Sequence, residues 1–514
     1  MSDALSNPIW PIDHLALRGR GDAPAFLMKD GAFDYRELDR RVGALAAWLA
    51  AYGFARGDRV ATWLGKTWIA ALMPLAAVRT GLVHVPVNPL LKRAQVAHIL
   101  SDSGARLLLC NAARAGTLEH GDMPADCILA DDGACADAVL SATAVLPPSS
   151  GDPADLAAIL YTSGSTGRPK GVMLSSANLW LGAESVATYL GLKSADRLLG
   201  VLPLSFDYGQ NQLLSAWYAG ASVAPVDYLT AREVVRAVER FGATTLAGVP
   251  PLWVQLLECE WPADTAARLR RLTNSGGALT RSMVARLREL FPDARIFAMY
   301  GLTEAFRSTY LDPALIDTRP ESVGKAIPHA EILIVRSDGS PTGPGEPGEL
   351  VHCGPLVAQG YWQDADRTAH RFKPAPAHSR YGGIAVWSGD KAKADAEGFI
   401  TFVGRDDEMI KSSGNRISPT ELEEAVVATG LVAEAVALGV PDPALGQAIA
   451  IVLRPSSTAD PASIEDDLRS RLRVDLPNFM QPRHLLIRSE LPRNPNGKLD
   501  RTGITAAALS EIGI

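Results

Sequence analysis

Short apolar runs alternate with helical stretches from the start of the chain, and this alternation constrains the fold more than any other feature. After Tyr35-Arg36-Glu37-Leu38, the residues Leu38, Val42, Leu45, Ala46 and Leu49 recur at the spacing of one helical face. A turn at Gly57-Asp58-Arg59 leads into Val60-Ala61-Thr62-Trp63-Leu64, which reads as a buried strand. A second helix is predicted from Ile69 to Arg79 and a second strand over Val83-His84-Val85-Pro86-Val87. This rhythm predicts a mixed α/β architecture. With 514 residues the chain is too long for one ordinary hydrophobic core, so at least two domains are expected. The pattern changes near Gly404-Arg405. Beyond it, helices over Pro419–Ala428 and Ser463–Arg473 and strands over Ala433–Val440 and Ala448–Leu453 predict a separate α+β unit. Residues 1–404 then form a large N-terminal α/β domain and residues 405–514 a small C-terminal one.

Composition excludes several function classes. Hydrophobic residues make up 47% and charged residues 21%, the balance of a globular rather than a disordered protein. The net charge of −7 provides no basic field for nucleic acid. The stretch from Trp68 to Val87 is interrupted by Pro74, Arg79 and His84, which argues against a membrane span. The opening residues Met1–Pro8 lack the basic segment and apolar core of a secretory leader. Five scattered cysteines without ligand spacing (Cys110, Cys127, Cys135, Cys259, Cys353) suit buried thiols in a reducing cytoplasm.

The segment Tyr161-Thr162-Ser163-Gly164-Ser165-Thr166-Gly167-Arg168-Pro169-Lys170-Gly171 carries the chemistry. It follows an apolar strand, Leu156–Leu160. Glycines and small hydroxyl residues let backbone N–H groups and hydroxyls close around phosphate oxygens, and Arg168 and Lys170 add positive charge. Only two residues separate Gly164 from Gly167 and no Gly-Lys pair follows, so this is not a P-loop; the dinucleotide Gly-x-Gly-x-x-Gly pattern is absent as well. A bare Ser/Gly run would be an ordinary surface turn. The preceding strand and the Arg-Pro-Lys-Gly continuation favour a phosphate loop.

This loop resembles the signature of the adenylate-forming superfamily, which comprises acyl-CoA synthetases, adenylation domains and luciferases. Further segments resemble that family's motifs in its order. The resemblance implies a large multi-subdomain domain with mixed sheets, a small α+β domain, and an active site at their interface. It assigns ATP phosphates to Thr162, Ser163, Gly164, Ser165, Thr166, Gly167 and Lys170, and the adenine border to Gly277 and Ala278. In Tyr300-Gly301-Leu302-Thr303-Glu304 it implies that Tyr300 stacks on adenine, Thr303 bonds phosphate and Glu304 holds Mg²⁺, an ion that prefers one or two carboxylates plus phosphate oxygens. Asp390, within Trp387-Ser388-Gly389-Asp390, corresponds to the ribose-binding carboxylate, with Ser388 where the family usually has Thr. Taken alone, such an Asp would be a turn residue. Arg405 would assist at the ribose, and Asp407 aligns with the hinge between the domains. The stretch Lys411 to Pro419 resembles the loop that meets the thiol's pantetheine arm, through Gly414 and Arg416. Pro492 to Lys498 resembles the C-terminal catalytic loop and would deliver Lys498 into the cleft.

The resemblance thus implies an ATP-dependent, AMP-forming acid–thiol ligase using ATP, Mg²⁺ and either CoA or a phosphopantetheinylated carrier protein. The acyl pocket is expected around Phe206, Asp207, Tyr208, Val249 and Gly276. Phe206-Asp207 resembles the pair that anchors the α-ammonium in amino-acid-activating relatives; equally, Asp207 could cap a helix starting at Tyr208-Gly209. The surrounding Leu202–Gln212 segment resembles acyl-CoA ligases of the exosortase-associated type. An acyl-CoA synthetase is therefore expected first and an amino-acid:carrier-protein ligase second. A non-catalytic nucleotide-binding paralogue would have lost Glu304, Asp390 or Lys498, and all three are present.

Overall fold

The computed structural model describes residues 8–513, apart from 163–168, 277–278, 280, 406–409, 418, 457–458, 461–462 and 493–498. The first predicted helix forms over Tyr35–Ala50, opened by Asp34, whose side chain accepts the Glu37 N–H at 2.8 Å. Leu38, Val42, Leu45 and Leu49 are all buried, so the apolar periodicity marks the face that meets the core. Strand Arg59–Trp63, helix Trp68–Arg79 and strand Val83–Pro86 follow where the alternation predicts them.

Among the described residues the strands form three sheets. The largest begins with the hairpin Pro24–Met28 and Gly31–Asp34. It continues through parallel strands Ser222–Pro225, Arg197–Gly200, Thr245–Gly248, Arg271–Asn274 and Arg295–Tyr300. Beyond these it turns antiparallel, through Thr309–Tyr310 and Ser322–Ala326 to the long strand Ile384–Ala394 beside Ile400–Arg405. The second sheet places parallel strands Ala105–Cys110, Arg59–Trp63, Val83–Pro86 and Leu156–Thr162 side by side, then adds Lys170–Ser175 and Gly360–Tyr361 antiparallel at the edge. Parallel strands are buried on both faces, which is why they read as unbroken apolar runs.

The third sheet belongs to the small C-terminal domain. Helix Pro419–Ala428 has the predicted bounds, while strands Val432–Asp442 and Gly446–Pro455 run longer than predicted. They pair with each other through their polar ends, which apolar patterning does not register. Two core clusters in this domain, around Leu422, Ile451 and Leu468 and around Ala450, Ile504 and Leu491, draw only on residues from Ile410 onward. The architecture is therefore a mixed α/β large domain followed by a smaller α+β domain. Among the described residues no helix is long and apolar enough to cross a membrane. Cys110, Cys135 and Cys353 are buried as expected, but Cys127 and Cys259 are only half-buried.

Buried charge locks the N-terminal segment to the large domain. Arg79 lies in the interior, where its Nε donates to Asp13 at 3.0 Å and its Nη2 to Asp39 at 2.8 Å. Asp13 is also fully buried and accepts the Ser149 N–H at 2.8 Å. Burial pushes the Asp13 carboxyl up, and the Ser149 N–H and the Arg79 charge oppose that push. Replacing Arg79 by Met leaves this carboxylate without its cation, and is expected to lower unfolding stability by about 3–5 kcal/mol in a urea titration. A loss within error of zero would show that the pair contributes nothing net.

Candidate active site

Ligands in open α/β sheets bind beyond the carboxyl ends of the strands, and the predicted residues gather there. Strand Thr245–Gly248 runs into Val249, strand Arg271–Asn274 into Ser275 and Gly276, and strand Arg295–Tyr300 into Gly301 and Thr303. Strand Leu156–Thr162 of the second sheet ends at the same place. Between them lies a cleft of about 570 Å³, closed on another side by Ser413 and Gly414 of the small domain.

The floor of the cleft is a compact charged cluster. Glu304, in the short turn Thr303–Ala305, is buried. Its Oε1 accepts from Lys170 Nζ at 3.0 Å and from the Tyr361 hydroxyl at 2.6 Å. Lys170 Nζ also donates to the Tyr361 oxygen at 2.7 Å. Tyr361 is held in place because its two-residue strand pairs with Lys170–Ser175 opposite Val172. Thr162 lines the cleft, and its buried Oγ1 has no partner among the described residues. Ser163, Gly164, Ser165, Thr166 and Gly167 lie outside the described residues, as do Gly277 and Ala278.

Tyr300 and Asp390, the residues expected at the nucleoside, meet in the cleft. The Tyr300 hydroxyl donates to Asp390 Oδ2 at 2.5 Å, and the ring lies near Phe402, with centroids 6.4 Å apart. Asp390 is buried within the strand Ile384–Ala394, opposite Arg405, so it is not the turn residue its position after Gly389 suggests in isolation. Ser388, where the family usually has Thr, braces it through its hydroxyl. Its Oγ accepts the Asp390 N–H at 3.1 Å and donates to the Leu350 carbonyl at 2.6 Å.

The wall expected to take the acyl group corrects one expectation. The helix Asp207–Tyr218 has Phe206 at its N-cap and no side-chain cap bond, so Asp207 is the first helical residue rather than a cap for Tyr208-Gly209. The Asp207 carboxylate is buried and faces Arg307, with Oδ2 to Nη1 at 3.9 Å. Phe206, Asp207, Val249 and Gly276 line the cleft, whereas Tyr208 lines a separate small cavity and bonds Thr273 Oγ1 through its hydroxyl at 2.6 Å.

The small domain reaches this wall directly. A Cβ on Gly414 would lie 2.8–2.9 Å from three Val249 side-chain atoms, so only glycine permits this approach. Gln95 of the large domain donates to Glu421 of the small domain at 3.0 Å. Lys498 and Asp407 lie outside the described residues, and the structure describes the backbone of Arg405 and Arg416 only.

Sequence reasoning missed Tyr361 and Arg307. Tyr361 sits in a two-residue strand far from any recognised motif, with no local signal. Arg307 had one: a lone cation in the otherwise uncharged stretch Ala305-Phe306-Arg307-Ser308.

Comparison with known proteins agrees with this geometry. The AMP-binding enzyme family matches residues 14–362, and its C-terminal domain matches residues 421–498. L-proline–[L-prolyl-carrier protein] ligase of Pseudomonas fluorescens is 31% identical over 488 residues, 93% of this chain and 94% of that protein. Feruloyl-CoA synthase of an Amycolatopsis species is 31% identical over 497 residues, 95% of this chain and 96% of that one. A malonyl-CoA ligase solved as a ternary product complex with methylmalonyl-CoA and AMP is similar at a TM-score of 0.78 and 27% identity, covering 94% of this chain and 100% of that one. With its paired family matches and a cleft built from the expected motifs, the chain belongs to the AMP-binding enzyme family, within the adenylate-forming superfamily.

Proposed function

We propose that this protein is an ATP-dependent, AMP-forming acid–thiol ligase that converts a carboxylic acid to acyl-AMP, releases pyrophosphate, and transfers the acyl group to CoA. The observation that carries this reading is the cleft itself. Lys170 and Glu304, held together by Tyr361, and the Tyr300–Asp390 pair line one cavity, a wall of which is met by Gly414 of the small domain.

A carboxylate is already ionised at neutral pH, so attack on the α-phosphorus of ATP needs no general base. It needs relief of negative charge and an in-line approach. Lys170 supplies a fixed cation beside the phosphate loop. Tyr300 and Asp390 hold the nucleoside, Asp390 accepting from ribose hydroxyls. Lys498 bridges the carboxylate and the α-phosphate, where charge accumulates. The donor set suits Mg²⁺: Glu304 is one buried carboxylate beside hydroxyl-bearing Thr162 and Thr303, matching an ion that completes its shell with phosphate oxygens and water. When bound there, Mg²⁺ would neutralise charge on the phosphate oxygens.

The second half-reaction uses another face of the small domain, residues 405–514, turned about Asp407. Gly414 and Arg416 then border the thiol channel. The packing of Gly414 on Val249 supports reading the present arrangement as the thiol-transfer one.

A second reading, an amino-acid ligase loading a carrier-protein thiol, draws on the Phe206-Asp207 pair and on the similarity to the prolyl-carrier ligase. Pyrophosphate release across fatty, aryl, short-chain and amino acids, with CoA or a phosphopantetheinylated carrier, tests both. Response to amino acids alone, abolished by Asp207→Ala, would overturn the CoA-ligase reading.

Three outcomes are expected. Lys498→Ala abolishes pyrophosphate release yet spares thioester formation from supplied acyl-AMP; equal loss of both steps would remove its assigned role. Glu304→Gln lowers the rate of adenylation by roughly 100-fold or more, with an increased Mg²⁺ requirement in a metal titration. Gly414→Val, which cannot pack on Val249, slows thioester formation from acyl-AMP at least about tenfold while leaving adenylate formation within about twofold; stopped-flow assays of each half-reaction separate the two.

A further inference from the structure

We infer that the acid activated in this cleft carries a second anionic oxygen group, seated on Arg307. The inference rests on the ligase reading above and names the substrate class for the same site.

Arg307 follows the turn Thr303–Ala305, and Phe306, with φ of 59°, redirects the chain so that the arginine enters the interior. Gly301 makes room for it: a Cβ there would lie 3.1 Å from Arg307 Cα and 3.3 Å from its Nη1. The side chain is only 3% exposed. Its guanidinium carbon lies 4.4 Å from the centre of the Tyr208 ring, and Nη1 lies 3.9 Å from Asp207, too far for a hydrogen bond. Nη2 is fully buried and has no partner among the described residues. Arg307 forms part of the wall shared by the main cleft and the small cavity of about 20 Å³. Gln210 lines the main cleft too, and both polar atoms of its buried amide also lack a partner among the described residues.

Each such buried donor left unmade costs about 1–3 kcal/mol, and orphaned polar groups of this kind in native proteins call for a specific explanation. A guanidinium presents a planar fork of donors that suits a carboxylate in bidentate fashion. A purely alkyl substrate would leave that fork and the Gln210 amide unpaired. An α-ammonium entering to meet Asp207 would confront the positive charge of Arg307, which already serves as that carboxylate's counter-ion. An acid whose far end bears a carboxylate satisfies Arg307 Nη2 and can accept from the Gln210 amide.

The test measures pyrophosphate release by the full-length enzyme with MgATP, using malonate, succinate and glutarate beside their monomethyl esters and the alkyl acids of equal length. At least one diacid is expected to exceed its own ester in kcat/KM by roughly 100-fold or more. Arg307→Leu should reduce that preference to within about threefold, and Arg307→Lys, charged but lacking the fork, should retain an intermediate preference. Esters or alkyl acids turned over as well as the diacids by the wild-type enzyme would overturn the inference and would mean that water alone occupies the Arg307 site. An undiminished diacid preference in Arg307→Leu would overturn it too, as would an increase in the KM for ATP that is the same with every acid. Should Arg307→Leu fail to fold in a thermal melt, the wild-type ester comparison and Arg307→Lys decide the matter. No pyrophosphate from any acid would instead refute the ligase reading itself, and this inference with it.

Discussion

The active-site cleft depends on one buried contact, the three-way bond among Lys170, Glu304 and Tyr361. These residues come from two different sheets: Lys170 and Tyr361 from adjacent antiparallel strands of the second, Glu304 from the turn after a parallel strand of the first. A buried carboxylate is tolerated only when paired and hydrogen-bonded. The cluster supplies both, at 3.0 Å from the ammonium and 2.6 Å from the phenol. It therefore holds the ends of the two sheets in register at the point where phosphate chemistry is proposed, and it makes the floor preorganised rather than assembled on binding.

Around that fixed floor the remaining walls are of two kinds. The wall carrying Tyr300 and Asp390 is rigid, because Asp390 is embedded in a long strand and both the Tyr300 hydroxyl and the Ser388 hydroxyl hold it from different sides. The wall supplied by the small domain is a contact between separate hydrophobic cores, through Gly414 on Val249 and Gln95 on Glu421. Contacts of that sort can be exchanged without unfolding either unit, which is what a two-step use of one cleft requires.

Local patterning was a good guide to the elements. The helix beginning at Tyr35, the strand–helix–strand succession from Arg59 to Pro86 and the helix Pro419–Ala428 all form where apolar spacing and turn residues predict them. The motifs were also a good guide to which residues share a site, since Tyr300, Glu304, Asp390 and Lys170 converge on one cleft. The reading of Asp207 as a helix cap failed because the helix begins one residue earlier than its Tyr-Gly dipeptide suggests. Helix ends are set by which N–H groups find partners, and composition records that poorly. Tyr361 and Arg307 went unnoticed for a different reason: each matters only through neighbours distant in the chain.

The sequence by itself determined the family, the order of the elements and which motif residues gather at one cleft, because motif spacing and apolar periodicity are local properties of the chain. Only the tertiary structure decided which cations serve which carboxylates. Lys170 meets Glu304 across 134 positions, and Arg307 faces Asp207 in the wall of the cleft. Such pairings depend on distance and burial in space, where the cost of an unpaired buried charge selects the partner.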